Sequence, residues 1–265
     1  MRGFIKAELF YLKKDLAFKS INAVFVLACA LLMVIFGNKG GYGLTSPLEP
    51  LRIAVSFSLF LYFIMPMHAC FFATEGFEHG SIQNIIASGQ RRSGYFLGKF
   101  VLEVLAILWW LVLFFGIFYI FYITAALVTG SHIGNGSTKE DFIKAGTAIG
   151  LNLLYLSAYA AVIMMLGIMI RKAAPAVVAA FFFIFGNMLL TGYLNESSSA
   201  FLRTVSDYSL MTQIMKFSGM YVLNSQQIGL SGPDDYAQVV LIPLVVIAVC
   251  LSAAVIFLEK KDIHI

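Results

Sequence analysis

Ionisable side chains inside apolar runs are the residues of this sequence whose types and positions could do chemistry. An apolar run starts at Phe100. Glu103 lies one helical turn inside it and follows Lys99 by four residues. Burying a charge in a bilayer costs at least about 2.5 kcal/mol, so such residues mark proton relays, ion sites or local ion pairs. Residues at i and i+4 of a helix lie side by side. We therefore expect Lys99 and Glu103 to form an interfacial ion pair, with a transport site as the alternative.

His68 is a second ionisable residue within an apolar run. Pro66 and Cys70 lie beside it, and no second histidine or carboxylate stands at a metal-ligand spacing from it. We therefore expect a packed histidine rather than a metal ligand. No grouping of serine, histidine and an acid suggests nucleophilic catalysis. We predict a non-catalytic membrane subunit with no metal site and no cofactor of its own.

The segment GYFLGKF, from Gly94 to Phe100, resembles a phosphate-binding loop only in part. It has three residues rather than four between its glycines, and Phe100 stands where serine or threonine is required. The sequence therefore has no evident site for ATP. These glycines are better suited to close packing of a membrane helix.

The apolar runs that hold these residues predict the fold class. The chain has 265 residues, 60% of them hydrophobic and 12% charged, with a mean hydropathy of +0.87, whereas soluble domains average about 25% charged residues. Continuous apolar runs of roughly 20 residues are typical of membrane-spanning helices, and a β-barrel would instead alternate polar and apolar residues. We predict an all-α membrane protein with one six-span domain over residues 20–265. The predicted spans are 20–36, 53–74, 100–128, 145–170, 173–194 and 239–258.

Residues 1–19 are predicted to form an amphipathic helix on the membrane surface. Ile5, Leu9, Leu12 and Leu16 share one helical face, and the lysines lie away from it. A secretory signal is the competing interpretation, but the charged region is too long and no small-residue cleavage site follows. We expect this helix to be retained.

The distribution of lysine and arginine predicts the orientation. With the amino terminus in the cytoplasm, twelve of the eighteen lysines and arginines fall in cytoplasmic segments, as the positive-inside rule requires. Both termini are then cytoplasmic, and the longest external segment is 195–238, which we expect to form amphipathic helices. This bias accounts for the basic net charge without a nucleic-acid partner.

The polar stretch 75–99 between the second and third spans contains a short amphipathic pattern. Ile82, Ile85 and Ile86 recur at i, i+3 and i+4, Ser81 is placed to cap a helix, and Gly89 is placed to end it. Two arginines, Arg91 and Arg92, follow. The pattern favours a short cytoplasmic helix, and a plain connecting loop is the alternative.

Aromatic residues are dense in the third span. Trp109, Trp110, Phe114 and Phe115 could line a translocation path for an amphipathic substrate. Packing and lipid contact explain such residues more often. We keep the four as candidates for a substrate path.

The chain resembles the membrane subunit of an ATP-binding cassette type-2 exporter, with its amino-terminal interfacial helix, six spans and a short coupling helix between spans two and three. The 75–99 stretch is similar to that family's pattern of an acid, a Gly-Thr-hydrophobic turn, a short helix, an arginine and a lysine that enters span three; Ser81 replaces the usual threonine. The residues to which we assign ATPase coupling are Glu75, Glu78, Gly80, Ser81, Ile82, Ile85, Ile86, Arg91 and Arg92.

The resemblance implies a mechanism and its partners. Two permease chains would form a homo- or heterodimer in the plasma membrane, in contact with lipids. Each coupling helix would sit in a groove of a separate cytosolic ATP-binding cassette subunit, which would bind ATP and Mg²⁺. The exported substrate would be a peptide or another amphipathic or hydrophobic compound.

Two other functions remain open at this level. An ion-coupled secondary transporter would need coupling ions and a polar path, for which deep ionisable residues are scarce here. A non-transporting immunity or scaffold protein of the membrane is the second alternative.

Overall fold

Helices form nearly all of the regular structure in the computed structural model, which describes residues 2–134, 136, 138–197, 199–220, 222–223, 226–227, 230 and 232–260. A two-residue antiparallel hairpin, β1 (Val222–Leu223) with β2 (Gln226–Gln227), places Val222 opposite Gln227. The helices are α1 (Arg2–Lys14), α2 (Leu16–Gly40), α3 (Glu49–Ser56), α4 (Ser58–Glu78), α5 (Ser81–Ala87), α6 (Arg92–Val128), α7 (Thr138–Ile170), α8 (Ala173–Asn195), α9 (Ala200–Asp207), α10 (Leu210–Phe217) and α11 (Pro233–Lys260).

Six of these helices, α2, α4, α6, α7, α8 and α11, are long and apolar enough to cross a membrane. Because a helix satisfies its own backbone hydrogen bonds, continuous apolar runs of this length form helices in a bilayer. The predicted all-α class and the six apolar helices are confirmed. Together they indicate a membrane-embedded, multi-pass protein.

The second and third spans differ from their predicted bounds. The run predicted as 53–74 is interrupted at Phe57, where α3 ends and α4 begins, and Pro50 lies in the first turn of α3. Helix α6 begins at Arg92, before the predicted start at residue 100, and has 37 residues. At about 1.5 Å per residue it is roughly 55 Å long, well beyond a hydrocarbon core of about 30 Å.

Helix α7 lies at the centre of the bundle, where it packs against α4, α6, α8 and α11. The hydroxyl of Tyr155 donates to the carbonyl of Val239 on α11 at 2.8 Å, and the hydroxyl of Tyr62 on α4 donates to Asn152 at 3.1 Å. Interhelical hydrogen bonds of this kind contribute about 0.6 kcal/mol each on average in membranes. They fix the register of α4 and α11 on the central helix.

The contacts divide the bundle into two ends. One end, here called the α1–α5 end, holds α1, α5, the turn between α7 and α8, and the last turn of α11. The opposite end holds α3, α9, α10 and a bridge between Leu44 and Ile133; there the hydroxyl of Ser46 donates to Asp141. The segment predicted as 195–238 does contain helices, α9 and α10, and α10 packs on α7 and α8.

Candidate functional site at the α1–α5 end

The short helix α5 begins at a glycine whose backbone differs from the prediction. Gly80 occupies the N-cap position with a φ of 65°, and no side chain caps the helix. Ser81 is therefore the first residue of α5 and not its cap. Glycine adopts this left-handed conformation without the cost that a Cβ imposes. Gly89, with a φ of 93°, follows the helix, as predicted from its position.

The three isoleucines of α5 do not form one exposed face. Ile82 is fully buried in the chain's own core, and Ile85 and Ile86 are half-buried against it. Ile82, which was assigned to ATPase coupling, therefore has no surface to offer a partner. The exposed face of α5 carries Asn84 and Ala87 instead. Ile82 anchors the helix, because burying one such side chain contributes roughly 1.5–3 kcal/mol.

Helices α4 and α6 approach closely beside this anchor. A Cβ added to Gly76 would overlap the hydroxyl of Tyr95, and the Tyr95 ring is buried. On its other side that ring meets Phe4 of α1, with 5.6 Å between ring centroids. Phe4 also lies over Gly98, where an added Cβ would come within 2.8 Å of the ring. Small residues thus let α1, α4 and α6 meet at one place.

Lys99 is buried at this meeting point, with 3% of its side chain exposed. Its ammonium donates to the backbone carbonyl of Phe72 at 2.9 Å and lies 3.7 Å from Glu8 and 3.9 Å from Glu75. The predicted Lys99–Glu103 ion pair is wrong in its partners. The reason is tertiary: α1 and α4 bring carboxylates to Lys99, so it does not need the acid of its own helix.

An open groove of about 670 Å³ runs between α1 and α5 and reaches Lys99. Burial raises the pKa of the Glu8 carboxyl above its ordinary value of 4.5, and the Lys99 ammonium offsets only part of that shift. Five polar side chains and one apolar side chain are among those that line the groove: Glu8, Tyr11, Glu75, Asn84, Gln90 and the apolar Ile85. The groove is therefore mixed in polarity and partly acidic.

Two residues assigned to coupling bind other helices of the same chain. The carboxylate of Glu78 accepts a hydrogen bond from the backbone N–H of Ala173 at 2.6 Å. The guanidinium of Arg92 donates to the carbonyls of Leu258 and Glu259, at 3.1 and 3.4 Å. Both therefore bind helix ends of this fold, whereas Arg91 is exposed at the start of α6.

Three ionisable groups, Asp15, His68 and Glu103, form a row next to these contacts. Nδ1 of His68 lies 2.8 Å from Oε2 of Glu103, and Nε2 of His68 lies 3.6 Å from Oδ2 of Asp15. His68 is 2% exposed and Glu103 is fully buried, whereas 41% of the Asp15 side chain is exposed. The predicted packed histidine is confirmed in its burial. The carboxylates beside it escaped the sequence analysis because they come from other helices.

Aromatic rings and a helix cap hold this chain of groups in place. His68 stacks on Phe72 at 5.7 Å and meets the edge of Trp110 at 4.9 Å, measured between ring centroids. Asp15 caps α2, accepting from the amides of Ala17 and Phe18. The nearby His68 ring lowers the pKa of the Asp15 carboxyl, and the two amides add to that effect against the cost of burial.

A pocket of about 390 Å³ opens onto Asp15 and His68. Its remaining lining includes Lys14, Glu75, Glu78 and His79. Asp15 and Glu103 lie on opposite ring nitrogens of His68, so the three cannot share one ion. Among the residues that the structure describes, no group of three histidine, cysteine or acidic side chains is placed to hold a metal ion.

The four aromatic candidates for a substrate path do not share a surface. Trp109 is 54% exposed on the outside of α6, whereas Trp110, Phe114 and Phe115 are buried in the core. The indole N–H of Trp110 donates to Asn22 on α2 at 3.0 Å, and Phe114 packs on Phe25 of the same helix. Trp110 and Phe114 therefore pack α6 against α2, and the four predicted residues do not line one common path.

The comparisons with known proteins bear on the whole bundle rather than on this end alone. No curated protein matches the chain. A family model does match it, from within α2 to the last residues of the chain, and so covers most of α2 and all of α3 to α11 but not α1. With residues 24–264 matched, the chain belongs to the family described as "Protein of unknown function (DUF2705)".

Proposed function

We propose that this chain is the membrane subunit of an ATP-driven exporter of the ATP-binding cassette type-2 class. In this proposal α5 is the coupling helix that receives force from a separate cytosolic ATPase subunit, which binds ATP and Mg²⁺. Two permease chains, identical or different, form the translocation path in the plasma membrane. The exported compound is a peptide or another amphipathic or hydrophobic molecule.

The observation that carries this proposal is the attachment of α5 to the spans on either side of it. Ile82 of α5 is fully buried. Beside it, the close approach of Gly76 to Tyr95 joins α4 to α6. A load on the exposed face of α5 would therefore reach both spans. A connecting loop without a mechanical role does not need such an anchor.

Contacts of the amino-terminal helix support the same proposal. Helix α1 is joined to the α4–α6 contact through Phe4 on Tyr95 and through Glu8 near Lys99. A helix on the inner membrane surface that is fixed to α4 and α6 can transmit their movement to the lipid interface. Orientation with both termini in the cytoplasm is part of this proposal.

The revised contact surface on α5 is its polar face rather than its isoleucines. Ala87 is exposed there, and an aspartate at this position would introduce a charge without disturbing the anchor. Ala200 on α9, exposed at the opposite end of the bundle, offers a matched alanine.

The test is to purify the chain with a soluble P-loop ATPase of the same organism and to measure vanadate-sensitive ATP hydrolysis in liposomes. We expect Ala87→Asp to reduce ATPase binding and hydrolysis at least about tenfold. A charge that is buried at an interface without a partner, or opposite a charge of the same sign, costs several kcal/mol. Ala200→Asp should leave both unchanged, and both variants should keep the thermal unfolding midpoint. Full ATPase binding and hydrolysis by Ala87→Asp would show that α5 is not the coupling contact, and absence of stimulated hydrolysis in the wild type would reject the exporter.

A further inference from the structure

Glu103 is a carboxylate buried within the bundle whose hydrogen-bonding capacity is only half used. Its Oε2 lies 2.8 Å from Nδ1 of His68, and its Oε1 is buried without a hydrogen-bond partner in the described residues. A buried acceptor of this kind is costly, and more so when charged. Because loss of the charge would lower that cost, the carboxylate points to a cationic species that the protein residues alone do not supply.

A proton is the species that fits the groups around Glu103. His68 can bind a proton at one ring nitrogen and release one from the other, since the two nitrogens act independently as donor and acceptor. Its Nε2 faces Asp15, which is half-exposed, and both residues line the pocket of about 390 Å³. Water in the pocket thus reaches one end of the chain of groups, and Glu103 forms the other.

We propose that Asp15, His68 and Glu103 form a proton-binding relay that exchanges protons between the pocket at the α1–α5 end and the buried carboxyl of Glu103. Asp15 collects a proton from water and passes it to Nε2 of His68, which becomes an imidazolium. The Nδ1 proton then moves to Oε2 of Glu103. Glu103 becomes a neutral carboxylic acid, His68 returns to its neutral form with its proton on Nε2, and the site has gained one proton and one unit of positive charge.

Charged groups on the neighbouring helices fit this direction of transfer. On α6, Lys99 lies one turn before Glu103 and is held by Phe72, Glu8 and Glu75. It therefore does not neutralise Glu103 through a direct ion pair. On the pocket side, Lys14, Glu75, Glu78 and His79 accompany Asp15. The carboxylates of Glu75 and Glu78 favour the arrival of a cation.

Enclosure separates the inner end of the relay from water. Phe18, Phe72 and Trp110 surround the His68 ring, with the Phe18 centroid at 6.3 Å. The imidazole is therefore the route by which a proton reaches Glu103. A static imidazolium that joins three helices without exchange is the competing explanation of the same contacts.

Infrared spectroscopy of the protein reconstituted in lipid distinguishes the relay from the static ion pair. As the pH is lowered stepwise, we expect a carboxylic-acid C=O band that shifts in D₂O and disappears in Glu103→Gln. The exposed carboxyl of Glu196 at the opposite end provides the control, because Glu196→Gln should keep the band. Absence of a band assignable to Glu103 would overturn the proposal in favour of the static pair.

The route is tested by the rate at which this band appears after a rapid pH drop. We expect His68→Phe to slow the appearance about a hundredfold, a typical contribution of a positioned proton-transfer group, and Asp15→Asn to slow it about tenfold. Asparagine remains a good N-cap, so Asp15→Asn keeps the fold and tests the route even where His68→Phe fails to fold. Equal rates in Asp15→Asn and the wild type would overturn the relay, whatever the chain exports.

Discussion

The carboxylate of Glu78, at the end of α4, accepts a hydrogen bond from the backbone N–H of Ala173, in the first turn of α8. A negative charge at a helix amino terminus satisfies an otherwise unpaired donor and interacts favourably with the helix dipole. The contact fastens the α7–α8 turn to the segment that leads into α5. The α1–α5 end is therefore a junction of helices that are distant in sequence.

Replacement of Glu78 tests this junction. We expect Glu78→Ala to lower the free energy of unfolding by about 1 kcal/mol, the usual cost of losing a capping acceptor, and to speed hydrogen exchange in the first turn of α8. Glu78→Gln keeps an acceptor oxygen and should retain most of the protection. Unchanged exchange at Ala173 in Glu78→Ala would contradict the capping role.

The approach of Gly76 to Tyr95 predicts a compensating pair of substitutions. Gly76→Ala gains about 1 kcal/mol of helix propensity but forces a methyl group against the Tyr95 hydroxyl, which costs about 1–3 kcal/mol. We expect net destabilisation, measured as a lower thermal unfolding midpoint.

Tyr95→Phe supplies the second half of that test. The Tyr95 hydroxyl has no hydrogen-bond partner in the described residues, so its removal should be close to neutral or stabilising. In the double variant the phenylalanine leaves room for the new methyl group, and the midpoint should recover. A double-mutant cycle with no coupling energy would show that the two helices are not held at this distance.

Arg92 is predicted to stabilise the end of α11. Its guanidinium donates to two carbonyls of the last turn, where a cation also complements the helix dipole. We expect Arg92→Ala to cost about 1 kcal/mol and to increase hydrogen exchange around Leu258. Arg91→Ala, at an exposed neighbouring position, is the control and should have no such effect.

The pKa shifts of Glu8 and Asp15 predict opposite dependences of stability on pH. Burial raises the pKa of Glu8 above 4.5, so the folded state holds its proton more tightly and loses stability as the pH rises above 4.5 through the folded pKa. The His68 contact lowers the pKa of Asp15 below 3.8. Its contribution is present above 3.8 and is lost as the pH falls through the folded pKa.

Thermal unfolding midpoints measured across these two pH windows test the signs. Relative to wild type, Glu8→Gln should lack the loss of stability above about pH 4.5, and Asp15→Asn should lack the loss below about pH 3.8. Parallel curves for Glu8→Gln and wild type above pH 4.5 would contradict the burial of Glu8 beside Lys99.

Local pattern was enough to predict the helices. The apolar runs around Phe114 and Ala160 can satisfy their backbone only as helices in a bilayer, so their class and number followed from length and hydropathy. The short helix at Ser81–Ala87 followed from isoleucine spacing, and its end followed from Gly89. The break at Phe57 was missed because the apolar run continues through it.

Tertiary structure alone decided which side chains meet at the 75–99 stretch. Lys99 and Glu103 are neighbours on one helix, yet each binds a residue of another helix, Glu8 or Glu75 for Lys99 and His68 for Glu103. Ile82 shares a face with Ile85 but is the one that is fully buried. Periodicity states which residues share a face of a helix, but what that face contacts depends on how the helices cross. The sequence by itself determined six apolar helices and the short helix α5. Only their packing made that stretch a junction, with the buried imidazole of His68 beside it between the buried Glu103 and the half-exposed Asp15.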